Sequence, residues 1–161
     1  LGEAADQWSP QISLGTPTLI PESYVSDLQL RLGLYRRLSS LETRAEIDAF
    51  QEELVDRFGP LPEEVAGLMD VMEIKGLCRI AGVAQIDAGP KGAVVAFRDG
   101  HFAYPEGLVR LIQKSAGDIK LQPDQRVVFR ADWESGKDRL KGARKILVQL
   151  SDLARRGGAA D

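Results

Sequence analysis

The sequence predicts an α+β fold, with an N-terminal helical layer packed with short antiparallel strands or hairpins and a C-terminal helix. The first observation is that apolar residues between positions 26 and 81 recur every three or four residues, which is typical of amphipathic helices. The second is that short apolar runs after Gly82 alternate with turns containing glycine and proline, which indicates hairpins. Helices followed by hairpins and flanking helices are the order expected of an α+β domain.

Length and composition limit the domain organisation. A chain of 161 residues has the size of one domain. We expect a linker and short N-terminal strand over residues 1–15, a single α+β domain over residues 16–156 and a frayed tail over residues 157–161. The formal net charge of −3 argues against a general grip on nucleic acid. The single cysteine, Cys78, excludes an internal disulfide and a multi-cysteine zinc site, and its apolar neighbours predict a buried thiol.

Two further features concern the context of the chain. The sequence has no signal peptide and no apolar run long enough to span a membrane, so we expect a cytoplasmic protein. It begins at Leu1 without a methionine, and we therefore expect a fragment of a longer protein, such as a terminal domain.

The first helix is predicted after a short strand within residues 8–15 and an extended segment that contains two prolines. Ser26 is expected to cap this helix, which continues through Leu38. Three of its apolar residues share one face, namely Leu28, Leu32 and Tyr35.

The second and third helices are predicted from their end signals. Thr43 and Glu46 form a capping-box pattern at the start of the second helix. The segment Gly59-Pro-Leu-Pro62 ends it and opens the third helix, over residues 63–81, which Gly82 terminates. The third helix is apolar around most of its circumference, so we expect it to be the central and most buried helix.

The second half of the chain is predicted to contain strands and two more helices. The segment Gly89-Pro-Lys-Gly92 is the turn of a hairpin. The predicted elements are, in order, a hairpin of residues 83–88 and 93–97, a helix over residues 106–115, a strand pair of residues 119–121 and 127–129, and a last helix from Ser135. The apolar stripe of that last helix consists of Leu140, Ala143, Leu147 and Leu150.

The second helix carries carboxylates on the side opposite its core face. At about 100° per residue, its apolar residues fall within one arc. They are Ile47, Phe50, Leu54 and Phe58. Asp48, Glu52 and Asp56 fall on the opposite side, and Glu53 widens this acidic patch on one flank. Two interpretations remain open: a solvated helix face, or a docking surface for an arginine-bearing partner. A catalytic carboxylate pair would need a concave pocket, which an exposed helix face does not provide.

Three stretches of the chain carry a resemblance to a known family. They are Leu19-Ile-Pro-Glu-Ser-Tyr-Val25, Leu30-Arg-Leu-Gly-Leu-Tyr-Arg-Arg-Leu38 and Glu53-Leu-Val-Asp-Arg-Phe-Gly-Pro-Leu-Pro62. In this order they closely resemble the C-terminal domain of the bacterial transcription-repair coupling factor (Mfd) family. The resemblance extends from about Trp8 to the last helix, and it is strong as far as Cys78 and loose beyond.

The resemblance implies a non-enzymatic regulatory domain of an ATP-dependent DNA translocase that acts in transcription-coupled nucleotide excision repair. In that family the domain docks on the UvrA-binding module of the same polypeptide, masks UvrA recruitment and restrains the motor ATPase until it is released. UvrA, RNA polymerase and DNA are contacted through the full-length protein. Glu53 and Asp56 occupy the acidic positions of the family motif Glu-Leu-x-Asp-Arg-Phe-Gly, so they are candidates for pairing with arginines of that module. Asp48 and Glu52 join them by helical geometry alone.

The sequence predicts no catalytic residue, cofactor or metal site. The turn Gly89-Pro-Lys-Gly92 lacks the spacing of a phosphate-binding loop. His101, the single histidine, has no second metal ligand nearby in the sequence. A small hydrolase that uses His101 is a residual alternative. The other alternative is a nucleic-acid-binding accessory module that uses the basic last helix. The cations of that helix and its end are Lys137, Arg139, Lys141, Arg144, Lys145, Arg155 and Arg156.

Arginines on the first helix also have two interpretations. Arg31, Arg36 and Arg37 lie close together in the sequence and could meet a phosphate. Pairing with the neighbouring acidic helix explains them equally well.

Overall fold

A computed structural model describes residues 8–160 of the chain and the side chains of residues 8–157. Within this range it contains five α-helices and one five-stranded sheet, which confirms the predicted α+β class. The chain forms two compact units. Residues 16–76 are called the helical unit, and residues 8–15 together with 77–160 are called the sheet unit.

Helix α1 of the helical unit spans Leu28–Ser39. Its N-cap is Asp27, one residue beyond the predicted Ser26, because the Asp27 carboxylate accepts the N–H of Leu30 at 2.9 Å. The buried face also differs from the prediction. Leu34 and Leu38 are buried, whereas Leu28 and Leu32 are exposed.

The α1 error has a simple cause in the sequence. Leucine occupies every second position from 28 to 34, so two different stripes both have helical spacing. Periodicity alone cannot choose between these stripes. Contacts with the rest of the helical unit decide, because Leu34 and Leu38 belong to its apolar cluster.

Helix α2 spans Arg44–Phe58 and was predicted correctly at both ends. Its capping box forms as expected: Thr43 Oγ1 accepts the N–H of Glu46 at 3.1 Å, and Glu46 Oε1 accepts the N–H of Thr43 at 3.0 Å. The predicted core face is confirmed, with three residues buried and the fourth partly buried. These are Ile47, Phe50 and Leu54, followed by Phe58.

The C-terminal end of α2 is held by Tyr24. Its single hydroxyl proton is shared between two carbonyl oxygens, that of Leu54 at 3.0 Å and that of Gly59 at 2.8 Å. The Tyr24 ring also packs on Phe58, with 5.7 Å between ring centroids. Gly59 has φ +95°, a left-handed region that favours glycine, so the chain turns sharply before α3.

Helix α3 spans Glu63–Ala81, as predicted, and contributes its residues up to 76 to the helical unit. Val65 and Ile74 are fully buried, whereas Ile80 near its end is exposed. Gly82 follows with φ +71°, the conformation expected of a helix-terminating glycine. Cys78 is buried as predicted, and burial raises the pKa of its thiol to about 12, so it stays protonated near neutral pH.

The sheet unit contains a mixed sheet in the order β1-β2-β3-β5-β4. The strands β2 and β3 form the predicted hairpin, and β5 pairs antiparallel with both β3 and β4. The N-terminal strand β1 pairs parallel with β2, an arrangement that the antiparallel prediction did not include. Its bounds and those of the other strands are β1 Gln11–Ser13, β2 Val83–Gly89, β3 Gly92–Phe97, β4 Ile119–Leu121 and β5 Val127–Arg130.

Two helices complete the sheet unit, α4 at Pro105–Lys114 and α5 at Gly136–Ala160. The Ser135 hydroxyl accepts the N–H of Asp138 at 3.1 Å at the predicted start of α5. The predicted apolar stripe lies inward, with Leu140 partly buried and the other three residues buried, namely Ala143, Leu147 and Leu150. The segment predicted as a frayed tail, residues 157–161, continues the helix as far as Ala160.

Candidate docking surface

The outer face of α2 presents the predicted acidic patch, defined here as Asp48, Glu52, Glu53 and Asp56. Three of its members, Asp48, Glu52 and Asp56, are exposed on the side of α2 opposite the buried core face. Glu53 is half-buried on the flank. The helical geometry deduced from the sequence is therefore present, but the four carboxylates have different surroundings.

Glu53 is bound within the helical unit. The guanidinium of Arg37 on α1 donates to both of its carboxylate oxygens, at 2.6 and 2.7 Å. Arg57, one turn further along α2, donates to the same carboxylate at 3.0 Å. Both guanidinium groups also lie 5.0 Å from aromatic ring centroids, Arg37 over Phe50 and Arg57 over Phe58. These ion pairs link α1 to α2, and they neutralise the negative charge of Glu53.

Asp48 is also paired, although less closely. Arg44 Nε lies 3.1 Å from its carboxylate, and the same guanidinium pairs with Glu73 of α3. Both Arg44 and Asp48 are exposed, so solvent weakens their attraction. Part of the negative charge of the patch is therefore balanced by its own helix.

Glu52 and Asp56 are the accessible acids of the patch. Neither has an ion-pair or hydrogen-bond partner among the side chains of residues 8–157. They line a shallow depression of about 240 Å³ together with Gln51 and Val55. Val55 is 43% exposed, so the depression combines an apolar side chain with two carboxylates that have no partner among the described side chains. An arginine side chain fits this combination, because its stem is apolar and its head is cationic.

The match to a protein-family model covers residues 14–108 and therefore the entire helical unit with its acidic patch. The matching family is described as the TRCF domain. The chain belongs to the TRCF domain family.

Relatives of this TRCF domain carry the name transcription-repair-coupling factor. The protein from Rickettsia bellii is 35% identical over 145 residues, and that from Escherichia coli is 28% identical over 144 residues. Each alignment covers 89% of this chain, but only 13% of the R. bellii protein and 12% of the E. coli protein. The chain thus spans about an eighth of the length of these relatives.

A solved structure has the same fold. It is a crystal structure of the C-terminal domain of transcription-repair coupling factor, with a TM-score of 0.75 and 18% sequence identity. The match covers 92% of this TRCF domain and 96% of that chain, so both units are represented in the likeness.

Every helix within residues 8–160 is too short or too polar to cross a membrane.

The remaining sequence candidates have simpler surroundings in this TRCF domain. Of the three α1 arginines, Arg37 pairs with the acidic helix, while Arg31 donates to the carbonyl of Val25 at 2.8 Å. His101 is exposed after a turn that contains Asp99 at φ +58°. Within the described part of the chain, no cluster of histidine, cysteine and acidic side chains could hold a metal ion.

The Glu53 cluster predicts a pH-dependent stability. Hydrogen bonds from Arg37 and then Arg57 lower the pKa of Glu53 from the ordinary 4.5 to about 2. Because this pKa is lower in the folded than in the unfolded state, the ion pairs stabilise the fold above about pH 4.5, and this contribution is lost as the pH falls toward about 2. We expect the stability difference between the native chain and Glu53→Gln to shrink across that window in urea denaturation.

The control for this titration is Gln51→Ala, an uncharged neighbour on the same helix whose replacement leaves every ionisable group in place. Its stability difference from the native chain should stay nearly constant over the same window. A Glu53→Gln difference that also stays constant down to about pH 2 would show that the cluster contributes no linked stability.

Proposed function

We propose that this TRCF domain is the C-terminal regulatory domain of a transcription-repair coupling factor. In this proposal it docks on the UvrA-binding module of the same polypeptide, masks UvrA recruitment and restrains the motor ATPase of the parent DNA translocase. The domain itself acts by binding and not by catalysis. Family membership, the names of the relatives and the fold of the solved C-terminal domain support this assignment.

The single observation that carries the docking proposal is the accessible pair Glu52 and Asp56 around the exposed Val55. Two carboxylates one helical turn apart, without a partner among the described side chains, can each receive an arginine, and Val55 offers apolar contact to the arginine stems. Complementary charge of this kind sets the register of two surfaces and accelerates their encounter. We therefore place the centre of the docking surface at these three residues.

The structure changes the roles that we assign to the other two acids. Glu53 can receive an arginine from the partner only by sharing or exchanging Arg37 and Arg57. Its main contribution to docking is therefore to hold α1 and α2 together and keep the outer face of α2 in place. Asp48, already near Arg44, adds negative charge at the edge of the surface.

A surface of this composition suits a contact that has to open. Exposed ion pairs contribute about 0–1 kcal/mol each and weaken with salt. Moving a closed-to-open ratio from 99:1 to 1:99 takes about 5.5 kcal/mol, which a ligand of the parent protein can supply through its preference for the open state. A few ion pairs beside one exposed valine bind weakly enough that such a ligand can still release the docked domain.

The test uses the full-length parent protein with Glu52→Lys and Asp56→Lys combined. Two lost ion pairs, with repulsion added by the new lysines, should weaken docking by roughly 1–2 kcal/mol, or about tenfold. We expect UvrA affinity and basal ATPase activity to rise together. The measurements are a UvrA binding titration and a steady-state ATPase assay in the absence of DNA.

The matched control combines Glu22→Lys with Glu42→Lys, two exposed acids of the helical unit outside α2. It changes the net charge by the same amount and should leave both readouts near the native values. If the α2 variant also leaves both unchanged, the docking surface does not lie on this face. A rise in UvrA affinity without a rise in ATPase activity would refute restraint of the motor by this contact.

A further inference from the structure

The two units of the chain carry opposite charges. Residues 16–76 contain 12 acidic and 6 basic side chains, for a formal charge of −6, whereas the remaining residues contain 12 acidic and 15 basic side chains, for +3. The overall net charge of −3 is therefore the sum of an acidic and a basic part of the chain. The basic excess lies on α5, where residues 137–156 hold seven basic and two acidic side chains, a formal charge of +5 that outweighs the −2 of the other remaining residues.

Six of these seven cations lie on the outer side of α5. At about 100° per residue they fall within an arc of about 120°, opposite the buried stripe that contains Ala143 and Leu147. With a rise of 1.5 Å per residue they extend over roughly 28 Å of the helix. All six are exposed, and we call them the basic stripe: Lys137, Lys141, Arg144, Lys145, Arg155 and Arg156.

The seventh cation has a structural role. Arg139 Nε donates to the carbonyl of Trp133 at 3.0 Å, and its two terminal nitrogens donate to Gly15 at 3.1 Å and Glu134 at 3.0 Å. It therefore is not available to a ligand. By contrast, Lys137, Lys141 and Lys145, one turn apart, form no ion pair with any side chain described in the structure. Two acids accompany the stripe, Asp152 within it and Asp138 at its edge.

The C-terminal end of the stripe opens into a cleft between α4 and α5. This cleft has a volume of about 310 Å³, and Arg110 and Lys114 of α4 line it together with Arg156. Asp152 also lines it and offsets one of these three charges. Gly107 allows the two helices to approach, because a Cβ there would meet Leu153 at 3.0 Å and the ring of Tyr104 more closely. The basic surface thus widens from one helix to two.

The composition of this surface distinguishes between kinds of partner. Protein interfaces centre on large apolar or aromatic anchors, and on the exposed side of α5 the apolar residue among the cations is Val148, which is only partly exposed. Single-stranded nucleic acid would need aromatic platforms for its bases, and Tyr104, the aromatic residue that lines the cleft, is half-buried. Interfaces with duplex DNA are polar and strongly positive, as this surface is.

We propose that the basic stripe and the adjoining cleft bind the phosphate backbone of duplex DNA without reading its sequence. A regular linear array of cations matches a regular linear array of phosphates, and contacts to phosphates carry no sequence information directly. This activity is separate from the docking of the helical unit, since it uses other residues of the other unit.

The test is a titration of the 161-residue chain against a fluorescently labelled duplex of mixed sequence, followed by anisotropy. With four to five phosphates neutralised, the slope of log K against log salt should be about −4, so that binding weakens roughly 100- to 500-fold between about 50 and 200 mM salt. A scrambled duplex should bind equally. A slope near zero, or no binding at the lower salt concentration, would overturn the proposal.

Paired variants locate the contact. Lys141→Glu with Lys145→Glu should weaken duplex binding at least about tenfold, because two phosphate contacts are replaced by repulsion. Lys91→Glu with Lys120→Glu is the control, since both lysines are exposed residues of the sheet unit outside α5 and the charge change is the same. Equal weakening by both variants would mean a diffuse charge effect, and tighter binding of a polyglutamate peptide than of DNA would mean a protein partner; either result contradicts the proposal.

Discussion

Leu54→Ala is expected to destabilise the helical unit by about 2–5 kcal/mol, the cost of removing a buried leucine and leaving a cavity. Leu54 is 0% exposed and packs in the apolar cluster of this unit with Ile47 and Phe50. A small unit has few alternative contacts with which to fill such a space. The loss is comparable to the whole stability of many domains of this size.

The neighbouring Val55→Ala variant provides a matched control. Val55 follows Leu54 on the same helix but is 43% exposed, so its truncation should change the free energy of unfolding by less than about 0.5 kcal/mol. Urea denaturation followed by far-UV circular dichroism measures both variants. Both tryptophans, Trp8 and Trp133, belong to the sheet unit, so their fluorescence records that unit separately. Similar losses for Leu54→Ala and Val55→Ala would contradict the assigned core face.

The success of the α2 prediction has a physical basis. This helix has one apolar stripe, a capping box at one end and a glycine and prolines at the other, so local and long-range preferences agree. In α1 the leucines at alternate positions offer two stripes, and only packing selects Leu34 and Leu38. The parallel pairing of β1 with β2 was equally beyond reach, because the partner of a three-residue strand is set by tertiary contacts.

The candidate site likewise has a part that the sequence predicted and a part that it could not predict. Helical periodicity was enough to place Asp48, Glu52 and Asp56 on the outer face of α2. The engagement of Glu53 depends on how α1 packs beside α2, which brings Arg37 within bidentate distance. The sequence allowed any of three arginines on α1 for such a pair. The sequence did not indicate how α1 is rotated about its own axis. That rotation depends on which of its two leucine stripes is buried.

Gly92→Ala is expected to destabilise the sheet unit by more than about 3 kcal/mol, because two separate costs combine. Gly92 has φ +126°, and holding an alanine in such a sparsely populated conformation costs about 1–3 kcal/mol. A Cβ at this position would also lie 1.9 Å from the carbonyl oxygen of Phe129 and 2.9 Å from the backbone nitrogen of Ala131. These are backbone atoms of β5 and the residue after it, so relief requires the paired strands to separate.

Gly89, at the other end of the same turn, isolates this effect. A Cβ added there meets no atom within 4 Å, and Gly89 has no positive φ, so Gly89→Ala should be neutral or slightly stabilising. From the sequence alone, the two look like equivalent turn glycines. Because β3 pairs with β5, Gly92 has to be a glycine, whereas Gly89 does not. Tryptophan fluorescence during urea denaturation measures the stability of the sheet unit in both variants. If Gly92→Ala unfolds at the same urea concentration as Gly89→Ala, the close approach of β5 to this turn is wrong.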